Sequence, residues 1–291
     1  MFSFANPDRF VQVKGWFIDQ NSASIQKYFY IGLEKGECDL EDFLKKYSNN
    51  NSSSSSSSSL DWETRVRICF EIAQSLQIIH SYGLVYRDLK TPNIIVFDSS
   101  KNTSSNNSSI NNNSNNSNSS KENSNYSFKL ADFGTITLTG NSTINIGTKG
   151  WISLEQALEA NREQKGIKLT EKSDIYTFGL IMYCILTEKS NLNPLKVNQI
   201  EIVKHAIENP AKIESLTEFS DPDEEEDGKG GKLYPIPKLQ EEIENIISRN
   251  QDQENAKKQK KFFGLMKQCF RVNPNARPDT EQVLGELKEC F

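Results

Sequence analysis

Residues 86 to 93 read Tyr86-Arg87-Asp88-Leu89-Lys90-Thr91-Pro92-Asn93, and apolar runs close on them from both sides, Gly83-Leu84-Val85 before and Ile94-Ile95-Val96-Phe97 after. A charged stretch held between two such runs reads as a loop fixed between a helix end and a strand, the rigid support that a positioned site needs. A second carboxylate follows in Asp132-Phe133-Gly134, at the end of the strand-like run Phe128-Lys129-Leu130-Ala131. Asn93 and Asp132 supply the oxygen ligands that hard Mg²⁺ takes beside a nucleotide such as ATP. Asp88 can orient a hydroxyl, and Lys90 can neutralise a phosphate. Together these residue types point to phosphoryl transfer.

The surrounding sequence supports one large helical body. From Leu60 to Tyr82, apolar residues recur at Val66, Cys69, Ile72, Leu76 and Ile79, with Asp61 as N-cap and Gly83 as a C-terminal stop. Lys172 to Leu186 predicts a more thoroughly apolar, buried helix. Asn198 to Glu208, Pro237 to Arg249, Ala256 to Phe270 and Thr280 to Cys290 predict further helices. Two inserts, 48–59 and 99–125, are almost pure serine and asparagine, a composition that cannot offset its ordering entropy by apolar burial. The second falls at the tip of the strand pair joining Asn93 to Asp132, so it should extend away from the site.

On the loop at 86–93 and the Asp132-Phe133-Gly134 motif, both present and in order, the chain resembles the protein kinase superfamily. The resemblance implies an α+β, protein-kinase-like fold. Asp88 and Lys90 would be catalytic, Asn93 and Asp132 the metal ligands, Phe133 a residue packed beneath the cleft, and Gly134 a backbone turn. Lys90, two residues after the aspartate, is the serine/threonine-kinase arrangement; Tyr86 stands where many kinases have histidine. Asn6 to Gly15 and Tyr28 to Glu34 look like the fourth and fifth strands of the smaller lobe, which places Glu34 on the hinge as a cofactor-binding residue. The implied division is an N-lobe remnant and hinge at 1–37 and a mainly α C-lobe at 38–291. Arg87 would hold the following segment, directly or through a phosphate on Thr137, Thr139, Ser142 or Thr143. Gly147 to Glu155 resembles the end of an activation segment, with Ser-Leu-Glu where Ala-Pro-Glu is usual. Glu155 would pair with Arg277, and Asp174 would bond catalytic-loop backbone. Gly147 to Glu155 and Tyr30 to Glu34 look most like the stress-sensor kinase of the unfolded-protein response, without its nuclease.

The same resemblance sets out what these 291 residues lack: a Gly-rich loop, a strand lysine and a helix glutamate. Lys14 has the local pattern of the strand lysine, but only about twenty residues separate it from the hinge, too few for the helix and strands that normally intervene. The expectation is therefore an N-terminally truncated kinase-like protein, inactive or severely impaired, that retains ATP and Mg²⁺ motifs. Two alternatives stand beside it: a scaffold or pseudokinase binding module, and an active serine/threonine kinase with Asp88 as catalytic base. A two-stranded hairpin of Phe10 to Ile18 and Tyr28 to Leu33 is marginal alone and should be frayed or covered by a partner strand.

A formal net charge of −5 argues against a general nucleic-acid or membrane-surface binder, and leaves a protein substrate or partner. The acidic excess is concentrated in the loop at 221–232, opposite in sign to Lys257 to Lys261. The cysteines at 38, 69, 184, 269 and 290 have no paired metal spacing and suit reduced thiols. With no secretory leader pattern or membrane-length apolar run, a cytoplasmic location is expected. His80 is expected to pack against, or cap, the end of its helix.

Overall fold

The computed structural model describes residues 6–18, 28–48, 59–98, 100, 125–143, 148, 150–153, 156, 167–188, 253–271 and 273–291. The inserts between 49 and 58 and between 101 and 124, the expected helices at 198–208 and 237–249, the acidic loop at 221–232, and Glu155 lie outside those residues.

Among the described residues, four helices build most of the body. Helix α2, Trp62–Ser81, starts where the Asp61 carboxylate accepts the backbone N–H of Thr64 at 2.7 Å. It ends at Tyr82, and Gly83 then takes φ +65°, a left-handed turn that glycine adopts without strain. Its buried face includes Val66, Ile72, Leu76 and Ile79, as the periodicity predicts. Helix α3, Glu171–Thr187, is buried continuously from Ser173 to Leu186, which is why its apolar residues show no single face. Helix α4, Gln253–Cys269, crosses it at Gly179, where a Cβ would stand 2.9 Å from the Cys269 Cβ. Helix α5, Thr280–Lys288, opens on a reciprocal capping box between Asp279 and Gln282 and packs along α2.

Strand β4, Leu84–Val85, leads into the loop at 86–93, and strand β5, Ile94–Asp98, pairs antiparallel with β6, Tyr126–Leu130, from Ile94 opposite Leu130 to Asp98 opposite Tyr126. The serine- and asparagine-rich insert therefore joins the far end of this ladder, while Asn93 and Asp132 flank the near end. The short strand β3, Cys38–Asp39, adds to β5 and leads into helix α1, Leu40–Ser48, whose first turn is capped by Asp39. Gly36 permits this junction: a Cβ there would meet the Ile95 Cγ2 at 2.2 Å and the Val96 carbonyl at 2.8 Å.

The hairpin is shorter than its expected span of Phe10 to Ile18 and Tyr28 to Leu33. Strand β1, Val13–Ile18, pairs with β2, Phe29–Leu33, with a register irregularity between Val13 and Gly15. Phe10 and Val11 belong instead to the larger body. Phe10 is fully buried in its core, Val11 N–H donates to the Leu130 carbonyl at 2.9 Å, and Leu130 N–H donates to the Arg9 carbonyl at 3.0 Å. Burying a phenylalanine outweighs two more residues of exposed ladder.

Candidate active site

The loop at 86–93 is hung from α3. Asp174, 2% exposed, accepts the backbone N–H of Tyr86 through Oδ2 and that of Arg87 through Oδ1, both at 2.8 Å. These two bonds hold Arg87 at φ +75°, a conformation that costs an L-residue about 1–2 kcal/mol. The His80 Nε2 lies 2.8 Å from the same Asp174 Oδ2. His80 thus does more than cap its helix: it ties α2 to the carboxylate that shapes the loop. Its aim could not be read from sequence, because the contact spans 94 positions.

Asp88 is the centre of the polar cluster. Lys90 Nζ donates to its Oδ2 at 2.7 Å, and Thr148 Oγ1 donates to its Oδ1 at 2.7 Å. The Asn93 amide nitrogen donates to the Asp88 carbonyl at 2.8 Å and to Oδ2 at 3.0 Å, while Lys90 Nζ also reaches Thr148 Oγ1 at 2.8 Å. Burial works against the charged form of Asp88. The hydrogen bonds from Lys90 and Thr148 and the charge of Lys90 outweigh it and hold the carboxyl below its ordinary value. Asp88 is therefore an ionised acceptor, suited to receive a hydroxyl hydrogen. Thr148 was missed as a site residue, although it lies in the Gly147 to Glu155 stretch; its hydroxyl closes a triangle with Asp88 and Lys90 that only the fold brings together.

Asn93 and Asp132 meet this cluster across the β5–β6 ladder. Asn93 lies at the end of a single 3-10 turn, Thr91–Asn93, and its carbonyl accepts Ala131 N–H at 2.9 Å. Asp132 is exposed, takes φ +52°, and accepts Gly134 N–H through Oδ1 at 3.2 Å. The Asn93 side-chain oxygen, with its amide nitrogen directed to Asp88, and the exposed Asp132 carboxylate are each oxygen donors of the kind Mg²⁺ takes. Phe133 packs edge-on against Phe10 at 5.5 Å and Tyr86 at 6.2 Å between ring centroids. Tyr86 is fully buried, its hydroxyl donates to the Ala131 carbonyl, and burial pushes its phenol well above the ordinary value. It is a strut between the two motifs.

Glu34 stands apart from these residues. Its carboxylate accepts Gln12 N–H at 3.0 Å and pairs with Lys129 at 2.8 Å, and its own N–H donates to the Gln12 carbonyl at 2.8 Å. It lines a recess of about 460 Å³ with Lys14, Leu33, Lys35, Phe97 and Asp98. No contact among the described residues joins Glu34 to Asp88, Asn93 or Asp132. The side chain is thus committed to holding the hairpin on the larger body. Arg87 is 8% exposed, and its Nε and Nη2 find no partner among the described residues. Arg277 donates to the carbonyls of Arg271 and Lys172 at 2.7 and 2.8 Å and lies over the Tyr176 ring; its expected partner Glu155 is outside the described residues.

An aspartate with a lysine two residues on and an asparagine five residues on, hung from a buried helix carboxylate and set beside an Asp-Phe-Gly turn, is the arrangement of a protein kinase domain. The family model for the protein kinase domain matches residues 5–287, and the chain belongs to that family. Among its relatives, serine/threonine-protein kinase PBL13 of Arabidopsis thaliana is 26% identical over 238 residues, 79% of this chain and 36% of that protein. The LRR receptor-like serine/threonine-protein kinase ERECTA of the same plant is 25% identical over 237 residues, 79% of this chain and 18% of its own length. A stretch of 139 residues, 45% of this chain, is 31% identical to the G-type lectin S-receptor-like serine/threonine-protein kinase At4g11900, of which it covers 12%. The chain thus spans about a third or less of the length of these relatives.

Proposed function

We propose that the chain is a serine/threonine-kinase-like protein that holds Mg²⁺-nucleotide on the C-lobe side of its cleft and, as these 291 residues alone, transfers phosphate very slowly. The observation that carries this reading is the network of Asp88, Lys90, Thr148 and Asn93 beside Asp132. Asn93 and Asp132 would hold Mg²⁺, which supplies charge neutralisation between the nucleotide phosphates. Asp88 would accept the hydrogen of a serine or threonine hydroxyl on a protein substrate, and Lys90 would stand against the transferred phosphate. A role for Glu34 in nucleotide binding would fall to its backbone, since its carboxylate is paired. The slow rate follows from the sequence reading that finds no Gly-rich loop, strand lysine or helix glutamate among these residues. Loss of one preorganised electrostatic donor costs about 10² to 10³ in rate, so loss of several should leave little. The stress-sensor likeness adds nothing to this reading, because much of Gly147 to Glu155 lies outside the described residues.

A scaffold function is the second reading, favoured by the exposed apolar hairpin described below. The test is nucleotide binding by the purified chain with and without Mg²⁺. Magnesium-dependent binding that Asp132→Asn abolishes supports the half-site. A slow phosphotransfer that Asp88→Asn lowers a further 10²-fold or more supports the role of Asp88. No binding at millimolar ATP favours the scaffold, and turnover of about 1 to 100 per second contradicts the impairment.

A further inference from the structure

The hairpin of β1 and β2 exposes large apolar side chains on both faces. Alternation along the strands, together with the register of Trp16 opposite Ile31 and Ile18 opposite Phe29, places Trp16, Ile18, Phe29, Ile31 and Leu33 on one face. Their exposures run from 44% to 66%, and Trp16 stacks on Phe29 at 5.6 Å. The opposite face carries Phe17, Tyr28 and Tyr30, with Phe17 stacked on Tyr30 at 4.7 Å. Lys14, the extra residue at the register irregularity, stands at the root of the first face beside Leu33, and from Trp16 outward that face contains no charge and no hydroxyl, whereas the second carries two tyrosine hydroxyls that favour contact with water.

We propose that the face formed by Trp16, Ile18, Phe29, Ile31 and Leu33 is a self-association surface, on which the hairpin of a second copy of this chain packs about a two-fold axis. Area supports this occupant. Large apolar side chains expose on the order of 200 Å² each, so five about half exposed offer roughly 500 Å² per chain. Two copies then bury about 1,000 Å², the lower bound for a specific interface. The surface is also self-complementary. A two-fold axis sets the patch against itself, with the five apolar side chains at the centre of the contact and Lys14 at its edge. A lipid surface fits less well, because the connection between the strands, Asp19 to Lys27, carries a charge at each end and Gln20, Asn21, Ser22, Ser24 and Gln26 between them. Inserting the strands would drag this polar apex through the headgroups.

An interface of this size is weak, so the whole 291-residue chain should dimerise with a Kd of about 1 to 100 μM. Sedimentation equilibrium between 1 and 300 μM tests it. Ile31→Lys should weaken the dimer at least tenfold, and Tyr30→Lys, on the opposite face, should leave the Kd within twofold. Both positions lie outside the helical core, so both variants should keep the thermal midpoint of the native chain. A native chain that is monomeric at 300 μM overturns the proposal. So does an Ile31→Lys variant that dimerises like the native chain, or a Tyr30→Lys variant that loses the dimer equally. Cosedimentation of the monomer with vesicles of phosphatidylcholine and phosphatidylserine, lost in Ile31→Lys, would assign the face to lipid and likewise overturn it.

Discussion

Replacing Asp174 by asparagine should damage both stability and the site, by an amount the geometry fixes within narrow limits. The native carboxylate accepts two backbone N–H groups and lies against His80, all at 2.8 Å and 2% exposed. Asparagine keeps one acceptor oxygen and presents its NH₂ to the other backbone N–H, donor against donor. One charge-assisted bond, typically about 1.5–3 kcal/mol, is lost, and a buried N–H is left unpaired at about 1–3 kcal/mol. These overlap in part, so the expected loss is about 2–4 kcal/mol, or roughly 5 to 15 °C in Tm for a domain of this size. His80→Ala leaves both backbone bonds in place and should cost about 1 kcal/mol. Urea and thermal unfolding followed by circular dichroism measure both variants. Magnesium-dependent nucleotide binding below the transition should weaken in Asp174→Asn, because Arg87 then loses one restraint on its left-handed backbone. An Asp174→Asn protein within 0.5 kcal/mol of native, or a His80→Ala protein equally destabilised, would refute the view that this carboxylate holds the loop.

Gly179→Ala should destabilise by about 1–3 kcal/mol through overpacking, since its Cβ would lie 2.9 Å from the Cys269 Cβ and 3.0 Å from the Phe270 ring; unchanged unfolding would show that α4 shifts freely away from α3. Gly36→Ala should destabilise by at least as much as Gly179→Ala, because its Cβ would stand 2.2 Å from the Ile95 Cγ2 and 2.8 Å from the Val96 carbonyl of β5; unchanged unfolding would show that the junction before α1 yields freely. For Asp88 the folded pKa is depressed, so its contribution to stability is full above the ordinary aspartate value of about 3.9 and disappears as pH falls through the lower folded value. The stability difference between the native chain and Asp88→Asn should therefore be flat from pH 8 to 5 and change only below about pH 4; a change centred near pH 6 would contradict the assignment.

Local signals made the helical body legible. The Asp61 cap, the Val66 to Ile79 periodicity and the unbroken apolar run in α3 each identify an element from neighbours in sequence. The functional loop was legible for a different reason: Asp88, Lys90 and Asn93 fall within six residues, so their spacing already encodes their geometry. What escaped were contacts made across the chain. Thr148 reaches Asp88 over 60 positions, His80 reaches Asp174 over 94, and Glu34 reaches Lys129 over 95. The Glu34 case is instructive, because the sequence offers it as a nucleotide-binding residue while its carboxylate is taken by a lysine on β6. Phe10 left its expected strand for a comparable reason. Strand propensity is local, but the core site that accepts its ring is assembled from α2 and β6.

The placement of these long contacts separates the site from the hairpin. Every bond that shapes Asp88 comes from the loop itself or Thr148, and the loop is anchored through Asp174 to α3, the most deeply buried helix. The hairpin reaches the same body through Phe10, Val11 and the pairing of Glu34 with Lys129, none of which touches Asp88. Phe10 is the exception in kind: its ring also meets Phe133, in the turn that carries Asp132. A perturbation at Trp16 or Ile31 should therefore leave the Asp88 cluster intact, whereas Phe10→Ala should loosen the Asp132 turn as well as cost about 3–5 kcal/mol by emptying a core site. The Asp132 carboxylate is thus coupled to the hairpin's root and insulated from its exposed blade.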